Sequence, residues 1–320
     1  MVKLIESVPN FSEGRRIEVV DRIVASIESV PGAYLLDRTS DASHNRSVIT
    51  LAGEPVPILE ALERAVAVAV AEIDMERHSG EHPRIGAVDV VPFVPLGDTR
   101  MNDCIELARA FGSRVAERFG LPVYMYGEAA TTPSRVRLAD VRRGQFEGLK
   151  DQIGAPGREP DFGPRTLHAT AGAIAVGARP FLIAYNINLE TADVELAKRI
   201  ARRIRESSGG LPRVQAKGFW IRELGRAQVS MNLLDYRTTP LWLLWETVRA
   251  EAADDDVEIA ESELIGLAPL GALLDVAGHA GVPAEEPVET RLAGAAAFLR
   301  LRDFSPTQAL ELRLDQVRQP

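Results

Sequence analysis

The sequence predicts an α/β (α+β) protein of two ferredoxin-like βαββαβ subdomains, packed with a ligand cleft or tunnel between their sheets. Three observations carry this. The apolar pattern switches between period two and period 3.6 in the order β-α-β-β-α-β, and the same order begins again after residue 178. The segment GAPGREPDFGPRT (154–166) is rich in Gly and Pro and reads as a linker or binding loop. A chain of 320 residues, 46% apolar, is also longer than one hydrophobic core usually spans. An antiparallel sheet with helices on one face leaves the other face to be covered, and the other half's sheet is the natural cover. Clefts between such layers are usual ligand sites. The expected division is 1–178 and 179–320.

The elements follow in order. Residues 2–8 alternate and read as a strand. Ser12 stands at the cap position of a helix over about 13–29, with Glu13 in its first turn, and Pro31-Gly32 stop it. AYLLD (33–37) and NRSVITLAG (45–53) read as strands around the polar loop RTSDASH. An Ala/Val-rich helix covers about 55–74, followed by strand AVDVVPFVPL (87–96). Helix 102–119, strand PVYMYGEAA (122–130) and a more polar helix over 135–152 extend this half. In the second half, strand 180–188 leads to helix 191–207, with Thr191 at its cap. Strands 214–224 and 227–235 meet at LGR, a hairpin signal. Helix 239–252 has Pro240 at its first position, strand 257–268 follows, and the tail from about 286 reads as helical.

Composition narrows the function. A net charge of -9 argues against a nucleic-acid surface but leaves room for a local basic pocket that takes a small anion. The opening MVKLIESVPNFSEG lacks a signal-peptide pattern, and no apolar stretch is long enough to span a bilayer. Cys104 is the single cysteine, so no disulfide within the chain is expected. It lies in a helical pattern and reads as a packed small hydrophobe. The expectation is a cytoplasmic protein with small-molecule partners, no nucleic acid and no membrane.

The chemistry concentrates in MERHSGEHPRIGAVDVVPFVPL (75–96), which holds two of the five histidines. His78 and His82 have the i, i+4 spacing of a metal pair, but Gly80 weakens a helix and Pro83 pushes His82 out of the α region. The competing readings for His82 are a proton-transfer histidine and a hydrogen-bonded turn histidine. Glu81 or Asp89 could orient its ring, and Arg84 could attract an anion. In VPNFSEG (8–14), Ser12 could cap a helix, or the first-turn N–H groups could hold a carboxylate. Asn10 in the same stretch is a possible substrate contact. DRTSDASHNR (37–46) offers Asp37 and Arg46 for the same role. Asn is depleted in strands, which singles out Asn186, Asn188 and Asn232 as ligand contacts. The glycine-punctuated stretches 161–164 and 169–180 could let the backbone approach a flat ligand. No G-x-G-x-x-G or P-loop is present, so a nucleotide is not expected.

VPNFSEG, NRSV, the run IDMERHSGEHPRIGAVDVVPFVP (73–95), PVYMYGEAA, PDFGP, GARPFLIAYNINL, VQAKGFW, AQVSMNLLDY and LIGLAPLGALLD together resemble the glutamate formimidoyltransferase family, from about residue 3 to 277. The resemblance implies two α/β subdomains around a folate tunnel, usually in a homodimer. It implies formimidoyl transfer from N-formimidoyl-L-glutamate to N5 of tetrahydrofolate, in histidine breakdown. Tetrahydrofolate is then a co-substrate, and no metal or redox cofactor is required. It makes His82 the catalytic histidine and matches Gly163, Pro164, Thr166 and Gly172 to the folate-contacting stretch. Arg46 and Arg84 become carboxylate clamps. Ala171 stands where relatives have an aromatic residue, and Thr39 where they have Asp, with Asp41 two residues later. A separate cyclodeaminase, which this chain is too short to include, would act downstream. Two alternatives stay open: a formyl donor (N-formylglutamate or 5-formyltetrahydrofolate), and a non-catalytic folate-binding protein.

Overall fold

A computed structural model describes residues 3–319; the first residue of the predicted strand 2–8 lies outside them. The chain forms two compact units that divide between Pro180 and Phe181.

In the N-terminal unit, β1 (Leu4–Ser7) and β2 (Asn10–Phe11) are one strand interrupted at Pro9. Proline has no N–H to give the ladder, although its carbonyl still accepts from Ile49 N at 3.1 Å. Next come α1 (Ile17–Glu28), β3 (Ala33–Asp41), β4 (Arg46–Gly53), α2 (Pro55–Glu72) and β5 (Val88–Leu96). With β1 and β2 counted as one strand, the sheet runs β3-β4-β1-β5, all antiparallel. Numbered along a βαββαβ unit this is the order 4-1-3-2, the ferredoxin-like arrangement. The unit continues with α3 (Met101–Phe119), β6 (Val123–Gly127), α4 (Leu138–Val141), α5 (Gln145–Gln152) and β7 (Ile174–Ala178). β7 inserts between β5 and β6, parallel to both. Ile5, Phe11, Ile49, Leu51, Val91 and Phe93 pack from the strands against the buried faces of α1, α2 and α3. Cys104 lies in this core, and burial pushes its thiol up to about 12, so it serves as packing.

Four local expectations change. Ser12 does not cap α1: its hydroxyl donates to Gly86 O at 2.7 Å. The carboxylate of Glu13 accepts from Arg15 N and Arg16 N instead, and the helix starts at Ile17. Those two N–H groups, just ahead of the helix, are therefore filled by the protein itself. The predicted loop after residue 37 is strand through Asp41. The predicted helix 135–152 is broken, because Gly144 and Gln145 both adopt positive φ, 84° and 56°. β7 was hidden because Ala and Gly carry little strand signal. Its Gly177 is required, since a Cβ there would lie 2.6 Å from the Tyr126 ring.

The C-terminal unit contains β8 (Ile183–Leu189), α6 (Val194–Ile204), β9 (Val214–Ile221), β10 (Arg226–Leu233), α7 (Leu241–Ala253) and β11 (Ile259–Ile265). Its sheet order, β11-β8-β10-β9, is again 4-1-3-2. Asp193, not Thr191, caps α6, accepting from Glu195 N and Leu196 N. Pro240 occupies the N-cap of α7, one position earlier than expected. Then follow α8 (Leu270–His279), α9 (Val288–Leu299) and α10 (Leu310–Arg318). Between α9 and α10 the chain runs beside β11, where Ser262 N donates to Arg300 O and Arg302 N to Ser262 O, each at 2.8 Å. That contact covers an edge strand that would otherwise offer unpaired N–H and C=O groups. Among the described residues no helix is long and apolar enough to cross a membrane.

Candidate active site

Strand alternation sorts the N-terminal sheet into two faces. Ile5, Phe11, Ile49 and Leu51 lie under the helices, so Asn10, Arg46, Val48 and Thr50 turn to the opposite face. The register places Asp37 opposite Thr50, Asp41 opposite Arg46, and Asn10 opposite both Val48 and Val90. Tyr126 comes onto the same face from β6, its ring over Gly177. Asn10, Asp37 and Arg46, distant in sequence, therefore share one polar surface. Asn10 also donates from its amide to Val8 O at 3.1 Å.

The GEHPR turn is held at the edge of this surface by Asn45. Its backbone adopts φ 48°, a conformation Asn tolerates. Its side-chain oxygen accepts from Gly14 N at 2.9 Å, and its amide donates to Ser79 O at 3.0 Å. Gly80 completes the junction, since a Cβ there would lie 2.3 Å from His44 O. His78 locks it further. Its Nδ1 accepts from Arg84 Nε at 3.2 Å, which leaves Nε2–H to donate to Asn45 O at 2.9 Å. Both ring nitrogens are thus spent, and burial first of all lowers the pKa of His78. This histidine is structural, and no i, i+4 metal pair with His82 is formed. Among the described residues no group of three or more His, Cys, Asp or Glu is placed to hold a metal ion.

Arg84 departs from the expected carboxylate clamp. It is 5% exposed and grips Glu147 through two bonds of 2.8 and 2.6 Å, with Gln145 at 3.0 Å. Phe146 N donates to Arg84 O at 2.8 Å, so the start of α5 docks on the turn. A guanidinium with its fork already filled is poorly placed to take a substrate carboxylate. Asp89 does not orient the imidazole either. One of its oxygens accepts from Ile85 N at 2.9 Å, and the other pairs with Arg142, while Glu81 is exposed.

His82 itself is half-buried. Burial, then the charges of Arg46 and Arg142, push its pKa down to about 2. The imidazole is therefore neutral at physiological pH, the form that accepts a proton. Arg46 is also half-buried; burial and then the charge of Arg142 lower its own pKa. Sequence reading gave Arg142 no role. Arg135, Arg137, Arg142 and Arg143 crowd one short stretch, and only the fold separates the inward ones from the solvated ones.

The Gly163–Gly172 loop reaches this turn by a direct backbone link. Gly172 bridges Gly86, with Ala87 N donating to Ala171 O at 2.9 Å and Ala173 N to Ile85 O at 3.0 Å. Asp161 anchors the other end, accepting from Met125 N at 2.7 Å and Arg135 at 2.6 Å. Gly163 has φ 85°, and a Cβ there would lie 2.4 Å from Leu121 O. Gly163, Pro164 and Thr166 are exposed, whereas Gly172 is buried.

In the C-terminal unit the strand asparagines also lie on the face turned from the helices. Asn188 is fully buried: its amide donates to Glu261 at 3.1 Å, and its oxygen accepts from Gln228 at 2.9 Å. Asn186 donates to Glu263 at 2.9 Å, and Arg302 binds both glutamates. Asn188 is thus engaged internally and not free for a ligand, while Asn232 on the same face is exposed.

Residues 4–179 match the model of the formiminotransferase domain, N-terminal subdomain, and residues 184–285 match that of the formiminotransferase domain. The chain is 48% identical over 318 residues to a glutamate formimidoyltransferase of Thermoplasma acidophilum, covering 99% of each. It is 46% identical over 279 residues to that of Streptococcus pyogenes serotype M1, covering 87% of this chain and 93% of the relative. The formimidoyltransferase-cyclodeaminase of Mus musculus is 45% identical over 283 residues, and the match covers 87% of this chain but 52% of that protein. With both family models matched in order across most of its length, the chain belongs to the formiminotransferase family.

Proposed function

We propose that the protein transfers a formimidoyl group from N-formimidoyl-L-glutamate to N5 of tetrahydrofolate, giving 5-formimidoyltetrahydrofolate and L-glutamate. The observation that carries this is a neutral, half-buried His82 within the field of two arginines, in a turn bridged to the Gly163–Gly172 loop. Family membership, with relatives named for this activity, supports the same reading. N5 attacks the amidine carbon and a tetrahedral adduct forms. His82 takes the N5 proton and returns it to the glutamate nitrogen as the carbon–nitrogen bond to glutamate breaks. The new carbon–N5 bond replaces the broken one, and the N5 proton ends on the glutamate amine. The loop at Gly163, Pro164, Thr166 and Gly172 holds the folate. The protein works as a cytoplasmic homodimer and passes its product to a separate cyclodeaminase. The test is direct: purified protein, tetrahydrofolate and N-formimidoylglutamate, followed by pterin absorbance. Turnover with a formyl donor alone, or binding without turnover, would overturn the assignment.

Arg46 is the clamp this reading requires. Its Nε is buried without a partner. Arg46→Ala is expected to raise KM by roughly 10- to 100-fold, the worth of a hydrogen bond to a charged group, with kcat largely kept. Arg46→Lys keeps the charge but loses the fork, so it recovers part of the affinity. Steady-state kinetics with each substrate varied in turn decides, and unchanged KM values would leave Arg46 a structural residue.

Activity is expected to survive exhaustive chelation, because both nitrogens of His78 are already bonded within the protein. Loss on chelation with recovery on adding zinc would contradict this.

A further inference from the structure

Arg46 and Arg142 have the same defect. Each has a buried Nε with no hydrogen-bond partner. They repel one another, and burial adds to that cost at Arg46. One deeply buried carboxylate lies between them in charge: Asp89, 2% exposed, pairs with Arg142, whose side chain is 14% exposed. Asp41, opposite Arg46 on β3, also offsets its charge, but it is exposed and already accepts from His44 N. Within the buried part of the site, two guanidinium charges against the one carboxylate of Asp89 leave a positive excess in a place partly withdrawn from water. Such an excess is costly to maintain unless an anion completes it. A carboxylate has two oxygens and accepts from guanidinium donors more strongly than a neutral group does.

We propose that Arg46 and Arg142 together form a carboxylate seat beside His82, and that filling the seat activates the imidazole. The activation rests on the reading of His82 as the proton carrier. The groups acting on His82 are Arg46 on β4, Arg142 after α4, His44 in the β3–β4 turn and His78 in its own turn. After burial, the two arginines are the largest influences, and both oppose protonation. Asp89 on β5 offsets them through its pairing with Arg142, and Asp41 on β3, exposed and paired with His44, offsets Arg46. A substrate carboxylate in the seat cancels the arginine charge, and the ring becomes a stronger base only when substrate is present. The free protein then holds a weak base, and the complex holds a stronger one. The carboxylate comes from the glutamate donor or from the glutamate tail of the folate.

Labelled histidine rings report this directly, with His82 assigned by loss of its signal in His82→Gln. The probes are L-glutamate, 5-formyltetrahydrofolate, and the corresponding pteroate without its glutamate. In the free protein the His82 ring stays unprotonated to about pH 4. Glutamate, or folate but not pteroate, raises its midpoint by about one pH unit or more, and the responding probe identifies the source. Arg142→Gln raises the midpoint of the free protein and shrinks the ligand-induced rise. The seat is refuted if bound glutamate and bound folate both leave the wild-type midpoint unchanged, a result that needs no variant to fold. It is also refuted if Arg142→Gln keeps the full rise. A ligand-induced rise together with normal turnover of His82→Ala would keep the seat and remove the catalytic assignment, so the two failures are distinguishable.

Discussion

Replacing His82 with alanine is expected to lower turnover by roughly 100- to 10,000-fold, the range general acid–base catalysis contributes, and to leave folate affinity unchanged. The physical argument is one of position and protonation state. His82 is the turn histidine whose ring is not consumed by the fold: His78 spends both nitrogens on Asn45 and Arg84. Its low proton affinity keeps it neutral across the assay range, the form that can accept a proton. The substitution removes a half-buried polar ring, and the surrounding backbone stays pinned by Asn45, Gly80 and the Gly86–Gly172 bridge. Folding should therefore survive, and the loss should fall on kcat. The measurement is single-turnover chemistry beside equilibrium folate binding. Turnover within about threefold of wild type would be too small a loss for a proton carrier and would refute the role.

Gly172→Ala strikes the same site through the backbone. Gly172 has φ 70°, where an L-residue is strained by about 1–3 kcal/mol. A Cβ there would also lie 2.5 Å from Ile85 O and 3.0 Å from Gly86 Cα, so the bridge must open; overpacking of this kind costs about 1–3 kcal/mol. Together the expected loss is roughly 2–6 kcal/mol, with a fall in turnover because Ile85 and Gly86 follow the His82 turn directly. Gly154→Ala is the matched control: a Cβ there meets nothing within 4 Å, and a change within about 0.5 kcal/mol is expected. Denaturant unfolding of both variants compares them. Equal stability of Gly172→Ala and wild type would show that the bridge does not constrain the turn.

Much of the fold was legible because its signals are local. Alternation and helical periodicity placed the strands and helices of both βαββαβ units, and the sheet order 4-1-3-2 recurs in each. The errors are local rules overridden by longer contacts. Ser12 is a good cap by composition, yet Gly86, 74 residues away, takes its hydroxyl. Thr191 lost the cap of α6 to Asp193, which lies closer to the first free N–H groups. The strand Ile174–Ala178 escaped notice because small residues suffice where a strand is buried between two parallel neighbours.

The sequence by itself determined the two-unit element order, the turn containing His82, and the glycines that let backbones meet. These depend on residue type and spacing over a few positions. The tertiary structure decided how the charged side chains are used. Arg84 sits in the motif, yet it is spent on Glu147, 63 residues away. Arg142 sits in an arginine-rich stretch that gave no signal, yet it faces Asp89 and acts on His82. A guanidinium's role depends on which carboxylate reaches it and how much water remains around it. Those two quantities are set by segments far apart in the chain and exist only once it has folded.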